Sequence, residues 1–211
     1  MKIILTGRQK LFFFSDPHFG HANICRGTSN WDSTRSRTRE FETLEEMNEK
    51  ILLNINTTVG PDDILFCLGD FSFGAIENVE YFRNRIICNN LHLIKGNHDH
   101  FIARNKENTQ RHFTSVNDYL ELQVNKPEGN ETKKYKFVLF HYPIASWDGM
   151  RRGVIHLHGH CHLGPQDRFS GGKMMDVGLD GNNLHPLELS EVINLINEKP
   201  IKSLMVVDHH V

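Results

Sequence analysis

The sequence predicts an α/β fold, and three observations predict it. Five short polar clusters, Asp16-Pro17-His18, Gly69-Asp70, Gly96-Asn97-His98-Asp99, His141 and Gly159-His160-Cys161-His162, each follow an apolar, β-prone run. Segments of helical period separate the early runs, and strand-like stretches recur later in the chain. In an open α/β sheet, ligands collect at the carboxyl ends of strands, so clusters far apart in sequence can converge there.

Leu11 to Ser15 is the first run, ending in the first cluster. Thr43-Leu44-Glu45-Glu46 reads as a capping box, and Leu44, Met47, Ile51 and Ile55 recur at helical spacing. A helix is therefore expected from about Thr43 to Asn56, closed by Val59-Gly60-Pro61-Asp62-Asp63. Ile64 to Leu68 is the second run, and a helix from Ile76 to Ile86 sets Ile76, Val79, Phe82 and Ile86 on one face. Asn89-Asn90 then turns into the run Leu91 to Lys95. Beyond a polar stretch at Asn105 to Gln110, strand-like runs at Phe113 to Val124 and Tyr135 to Phe140 enclose Lys126 to Lys134, which reads as a surface hairpin loop. Val154 to His158, Lys173 to Val177 and Ser203 to Val207 are further strands, and a helix from about Glu191 to Asn197 takes Ser190 as its cap. No repeat or low-complexity tract interrupts the pattern, so a single domain over residues 1–211 is expected.

A hydrophobic share of 38% with 24% charged residues is ordinary for a soluble globular chain. The net charge of −2 and pI near 6.7 argue against a general nucleic-acid-coating surface, though not against a local basic site. Cys25, Cys67, Cys88 and Cys161 show no Cys-x-x-Cys spacing, and Met1 to Gly7 is too short and broken for a signal-peptide core. No run approaches the roughly 18 apolar residues of a membrane span. A reduced, cytoplasmic protein with no membrane partner is the expectation.

Asp, Asn and His offer oxygen and nitrogen donors of intermediate hardness, which suit Mn, Fe, Zn, Co or Ni better than a carboxylate cage or a thiolate site would. In Asp16-x-His18 and His160-x-His162, alternate residues of extended backbone project to one side, so each pair can grip one site or straddle two. Cys161, between two such residues, should point away and is not counted as a ligand. Of the fourteen histidines, His92, His100, His112, His185, His209 and His210 read as surface or hydrogen-bonded core residues. His156 and His158 continue the alternation but sit inside the strand, below the site, which favours supporting or core roles.

The five blocks, in this order, resemble the calcineurin-like metallophosphoesterase superfamily, and Asp16 to Ile24 with His141-Tyr142-Pro143 is similar to its small bacterial and phage members. The resemblance covers roughly residues 11 to 180 and implies a two-sheet α/β/β/α sandwich. It also implies two divalent ions: Asp16, His18 and His162 hold one, Asn97, His141 and His160 hold the other, and Asp70 bridges them. His98 would donate to the phosphate or leaving oxygen. Two ions about 3.5–4 Å apart can bind a bridging hydroxide and clamp the phosphoryl oxygens for in-line displacement. Three residues after the bridging Asp, the Ser/Thr protein phosphatases place an Asp that pairs with the catalytic His, and the purple acid phosphatases a Tyr that binds ferric iron. Here it is Phe73, so no iron-tyrosinate colour is expected, and the orienting role for His98 falls to Asp99, to His21 or to no residue.

Substrate choice is expected in two loops. Arg26 to Arg39 carries Arg26, Arg35, Arg37, Arg39 and Trp31, and Tyr142 to Gly153 carries Trp147, Arg151 and Arg152. Arginine forks grip phosphate oxygens and aromatic rings stack on bases. Arg151 and Arg152, with His21 beside the first cluster, are the substrate-binding candidates. The leading expectation is hydrolysis of a small phosphate ester or nucleotide. A nuclease of the same superfamily is a competing reading, with little room here for that branch's DNA-capping region. A fold that has kept its shape and lost its chemistry, as the superfamily's retromer subunit has, is a third, against which the intact ligand set speaks.

Overall fold

The computed structural model describes residues 1–28, 38–104, 106–169 and 171–201. Two mixed five-stranded sheets stack face to face and are flanked by helices. One sheet runs β10 (Leu187–Glu188), β2 (Leu11–Phe14), β3 (Ile64–Cys67), β4 (Asn90–Ile94), β5 (Ser115–Asn117), all parallel except β10. The other runs β1 (Lys2–Ile4), β6 (Tyr119–Glu128), β7 (Glu131–Phe140), β8 (Ile155–His158), β9 (Met174–Asp176), with β6 and β7 antiparallel and the rest parallel.

Strand alternation builds two cores. Leu11, Phe13, Ile64, Phe66 and Leu68 turn toward the other sheet and meet Leu122, Phe137, Leu139 and Leu157, with the Phe13 and Phe137 ring centroids 5.4 Å apart. Phe12, Phe14, Leu65 and Cys67 turn outward, onto α1 (Leu44–Thr58) and α2 (Ile76–Arg85). On α1, Met47, Ile51 and Ile55 are fully buried, each worth about 1.5–3 kcal/mol relative to exposure. Its capping box is formed as expected, with Glu46 N donating to Thr43 Oγ1 at 3.2 Å and Thr43 N to Glu46 Oε2 at 3.3 Å. After the short helices α3 (His100–Arg104) and α4 (Lys106–Thr109), the helix α5 (Leu189–Asn197) adds Leu189, Val192 and Ile196 to the inter-sheet core.

Several boundaries differ from the expectation. The charged hairpin is strand almost to its tip, β6 ending at Glu128 and β7 starting at Glu131, because this end lies at the surface where lysines need not be buried. The run Phe113 to Val124 is two strands in two sheets, β5 and β6, with Asp118 as the crossing point. Helix α5 starts before Ser190: Glu191 Oε2 accepts the Glu188 N–H at 2.7 Å, and Ser190 Oγ donates to Glu188 Oε1 instead of capping. The expected strand Ser203 to Val207 lies outside the described residues, as do Trp31, Arg35 and Arg37. Among the described residues, no helix is long and apolar enough to cross a membrane.

Candidate metal centre

All five clusters lie at strand ends on one edge of the sandwich. Strands β2, β3 and β4 end in Asp16 and His18, in Asp70, and in Asn97 and His98, while β7 and β8 end in His141 and His160. The loops are laced together across the sheets: Asp16 N donates to Gly69 O at 3.0 Å, His18 N to Asp70 O at 3.0 Å, and Gly159 N to His141 O at 2.9 Å.

The glycines of the motifs have a steric cause. A Cβ on Gly69 would overlap the His141 ring, one on Gly96 would overlap Asp70 Oδ1, and one on Gly159 would overlap Ser15 Oγ and Asp16 Oδ2. Simple strand alternation does not hold at these ends. Asp16, His18, Asp70, His160 and His162 have φ of 58°, 48°, 54°, 70° and 48°. Left-handed backbone is costly for residues other than glycine and concentrates at functional sites. These turns, and not an extended register, send His160 and His162 to different partners.

Three overlapping groups of donors result, one of them formed by His18, Asp70 and His98. The ligand atoms of Asp16, His18 and His162 lie within 4.8 Å of one another, as do those of Asp70, His141 and His160. His18 Nε2 faces His162 Nε2 at 3.1 Å, and His141 Nε2 faces Asn97 Oδ1 at 3.0 Å. Asp70 Oδ2 is 3.6 Å from His18 Nε2 and 3.4 Å from His141 Nε2, while Asp70 Oδ1 accepts the His98 N–H at 2.7 Å. Asp16 Oδ2 accepts the His160 N–H at 2.9 Å, and its buried Oδ1 has no hydrogen-bond partner among the described residues. Asp16, His18, Asp70 and His141 form the buried floor; Asn97, His98 and His162 are partly exposed, and His160 opens to solvent.

Supporting groups fix the rings. His141 Nδ1 is 2.7 Å from Leu68 O, which leaves Nε2 toward the site. His18 Nδ1 is 3.3 Å from His21 Nδ1, and the buried His21 ring stacks on Phe73 with centroids 4.2 Å apart. His162 Nδ1 is 2.8 Å from Asp180 Oδ2. Asp180 is fully buried and also accepts from Arg39 Nε at 3.0 Å, Arg39 Nη2 at 2.9 Å and Thr38 Oγ1 at 2.6 Å. Arg39 is thus a buried brace, further bonded to Asp16 O at 2.6 Å, and not a solvent-facing phosphate reader. Arg26 is exposed and pairs with Glu40 at 3.8 Å.

Asp99 turns away from His98. Its carboxylate accepts backbone N–H groups of Asp70 at 2.8 Å, Phe71 at 2.9 Å and Gly96 at 2.7 Å, stitching two site loops together. The His98 ring has no hydrogen-bond partner among the described residues; it stands 5.3 Å from the His18 ring, 5.4 Å from His21 and 5.6 Å from Phe73, centroid to centroid. Arg151 and Arg152 are exposed on the loop after His141, Arg152 pairing with Asp148 at 3.1 Å.

Charge follows burial and partner. Burial and neighbouring imidazoles hold His18 far below the usual histidine range. Burial alone would lower His141, but Asp70 and Asp16 raise it to about 9. Burial pushes against ionised Asp70, yet His141 keeps it below its ordinary value. Asp180 is held well below the carboxylate range, Arg39 and His162 overcoming the burial cost. Asp180 carries little sequence signal of this role, since Gly178-Leu179-Asp180 follows no recognisable ligand pattern; only its place just after a strand points to it.

A family model of the calcineurin-like phosphoesterases matches residues 9–210. An uncharacterised protein, MJ1445, of Methanocaldococcus jannaschii is 28% identical over 200 residues, covering 90% of this chain and 93% of that one. The crystal structure of AQ665, a protein of unknown function from Aquifex aeolicus, superposes with a TM-score of 0.63 at 21% identity, covering 90% of this chain and 100% of the other.

Proposed function

Because the chain belongs to the calcineurin-like phosphoesterase family, we propose that it is a dinuclear-metal-dependent phosphoesterase acting on a phosphodiester or phosphomonoester, with a small nucleotide-like substrate. The observation that carries this reading is Asp70 Oδ2, which lies 3.6 Å from His18 Nε2 and 3.4 Å from His141 Nε2. One carboxylate oxygen is thereby shared between two donor groups.

Asp16, His18 and His162 would hold one divalent ion, Asn97, His141 and His160 the other, with Asp70 common to both. The residues fit such ions. Asp16 Oδ1 is buried without a hydrogen-bond partner among the described residues, and nitrogens 3.1 Å apart, as in His18 and His162, can both reach one ion at about 2.0–2.1 Å. The mixed oxygen and nitrogen set favours Mn, with Fe, Zn, Ni or Co as alternatives. When bound, two such ions supply Lewis acidity toward phosphoryl oxygens and lower the pKa of the attacking water.

The chain's own groups do the rest. His98 keeps a ring nitrogen uncommitted beside Asp70 and His18, where it can donate to the leaving oxygen. Asp99 holds the Asp70 and Gly96 turns in place before substrate arrives. Phe73 is 40% exposed beside His98 and offers a face to a nucleobase. Arg151 or Arg152 contacts the substrate phosphate, the exposed Arg152–Asp148 pair being weak enough to exchange. His21 serves the substrate through the orientation it gives His18.

The test is hydrolysis of bis(p-nitrophenyl) phosphate and of p-nitrophenyl phosphate by the Mn-reconstituted protein, with Asp70→Asn as the blank. Turnover of either substrate above the blank supports the reading, and their ratio assigns diester or monoester preference. Silence on both overturns it.

A further inference from the structure

Behind the centre just described lies another group of donors, formed by His158, Cys161 and Asp176. Its ligand atoms all lie within 4.8 Å of one another, as do those of the groups at the sandwich edge. His158 is fully buried at the end of β8; Nδ1 is 2.9 Å from Gly159 O, so it carries the hydrogen and Nε2 presents a lone pair. That Nε2 has no partner among the described residues. Asp176, 2% exposed at the end of β9, accepts Gly178 N at Oδ1 at 2.6 Å, and its Oδ2 also has no partner.

His158 Nε2 and Asp176 Oδ2 are thus two buried acceptors without a hydrogen-bond partner among the described residues, on side chains whose ligand atoms cluster together. Unsatisfied buried acceptors are rare and costly, and call for an occupant. A cation answers both at once. Cys161, between His160 and His162 in sequence, supplies the third donor, its sulfur lying within 4.8 Å of ligand atoms of both His158 and Asp176. It is half-buried, which gives an ion a way in.

We propose that His158 Nε2, Cys161 Sγ and Asp176 Oδ2 form a separate binding site for one borderline-soft divalent cation, of the zinc or cobalt class. A nitrogen, a thiolate and a carboxylate oxygen select such an ion over Mn or Mg. On binding, the Cys161 S–H releases its proton to solvent, the thiolate forms the metal–sulfur bond, and no electron is transferred. Three protein donors leave a coordination position for water. The site borders the phosphoesterase centre through Gly159 and Gly178, whose backbones abut Asp16 Oδ2 and Asp176 Oδ1 respectively. It shares no ligand with that centre.

The test is cobalt(II) titration of the full, chelator-stripped chain, followed in the near ultraviolet. Thiolate-to-cobalt charge transfer arises only at a sulfur ligand, so the phosphoesterase centre, with oxygen and nitrogen donors alone, contributes none. Wild type is expected to develop this band to saturation with one thiolate ligated per chain, Cys161→Ser to lose it, and Asp176→Asn to need at least tenfold more cobalt. Absence of the band in the wild type overturns the proposal, as does its survival in Cys161→Ser. Should Cys161→Ser fail to fold, unchanged cobalt affinity in Asp176→Asn overturns it equally. Because the readout is spectroscopic, it stands apart from whether phosphate esters are hydrolysed.

Discussion

His162 Nδ1 and Asp180 Oδ2 stand 2.8 Å apart, and this single bond joins a candidate metal ligand to the buried Arg39 guanidinium behind it. Asp180→Ala would leave that cation without its counter-charge. Breaking a buried pair by removing one partner costs about 3–5 kcal/mol, and loss of an outer carboxylate weakens metal binding about 10- to 100-fold. Urea unfolding and metal titration of the same variant check both figures.

His98→Ala should retain metal and lose rate. The ring makes no hydrogen bond to a described residue, so its removal breaks none, while the loss of a positioned proton donor costs about 10²–10⁴-fold in kcat. Metal content by mass spectrometry and kcat on a poor leaving group separate the two effects. Wild-type turnover would remove His98 from the mechanism.

Gly96→Ala places a methyl group against Asp70, whose backbone N would be 2.5 Å from the new carbon. Neither turn can yield, since Asp99 clamps both. Overpacking of this kind costs about 1–3 kcal/mol. A lowered urea midpoint together with reduced metal occupancy is expected.

Metal uptake should release protons and stabilise the fold. His141, raised to about 9, is protonated at pH 7.5 and must give up its Nε2 proton to ligate. Affinity therefore falls as pH drops below 9, by about tenfold per pH unit for one linked proton. At a free metal concentration of 100 Kd the folded state gains about 2.7 kcal/mol. Calorimetry in buffers of different ionisation enthalpy counts the protons, and chelation should lower the Tm.

His92 makes the fold acid-sensitive at a point outside the metal centre. Its ring stacks on Phe66 at 4.6 Å, Nδ1 is 2.8 Å from Ser115 Oγ, and burial lowers it to about 4. The folded value lies below the unfolded value near 6.5, so stability is lost as pH falls from 6.5 and levels off below 4. A shift of this size amounts to about 3 kcal/mol at the acid limit. The stability of His92→Gln should depend less on pH between 6.5 and 4.

Much of this was legible in the chain because motif and fold share one cause. A glycine that must admit an Asp or His beside it leaves a visible Gly-Asp or Gly-His pair, and an apolar run before it marks the strand. Helix α1 announced itself through Thr43 and Glu46, which act locally. Position α5 misled, since Ser190 has cap chemistry but spends it on Glu188. What stayed hidden depends on distant partners. Asp180 and Arg39 each look like surface charges until the fold sets them 2.9 Å apart. Asp99 resembled a partner for His98 because nothing in its neighbourhood reveals three backbone donors from two loops. Strands β1 and β10 are too short to show a period.

Those two short strands also govern how the molecule is made. Lys2 registers against Gln123, and Phe13 against Leu187. Pairs so distant form late, because closing their long loops must precede any gain from contact. Synthesis proceeds from the N-terminus, so β2 leaves the ribosome before its partner β10 and has its outer edge covered only once residue 187 has followed. Until then Leu11 to Phe14 is an apolar edge open to other chains, an exposure that pairing with β10 removes.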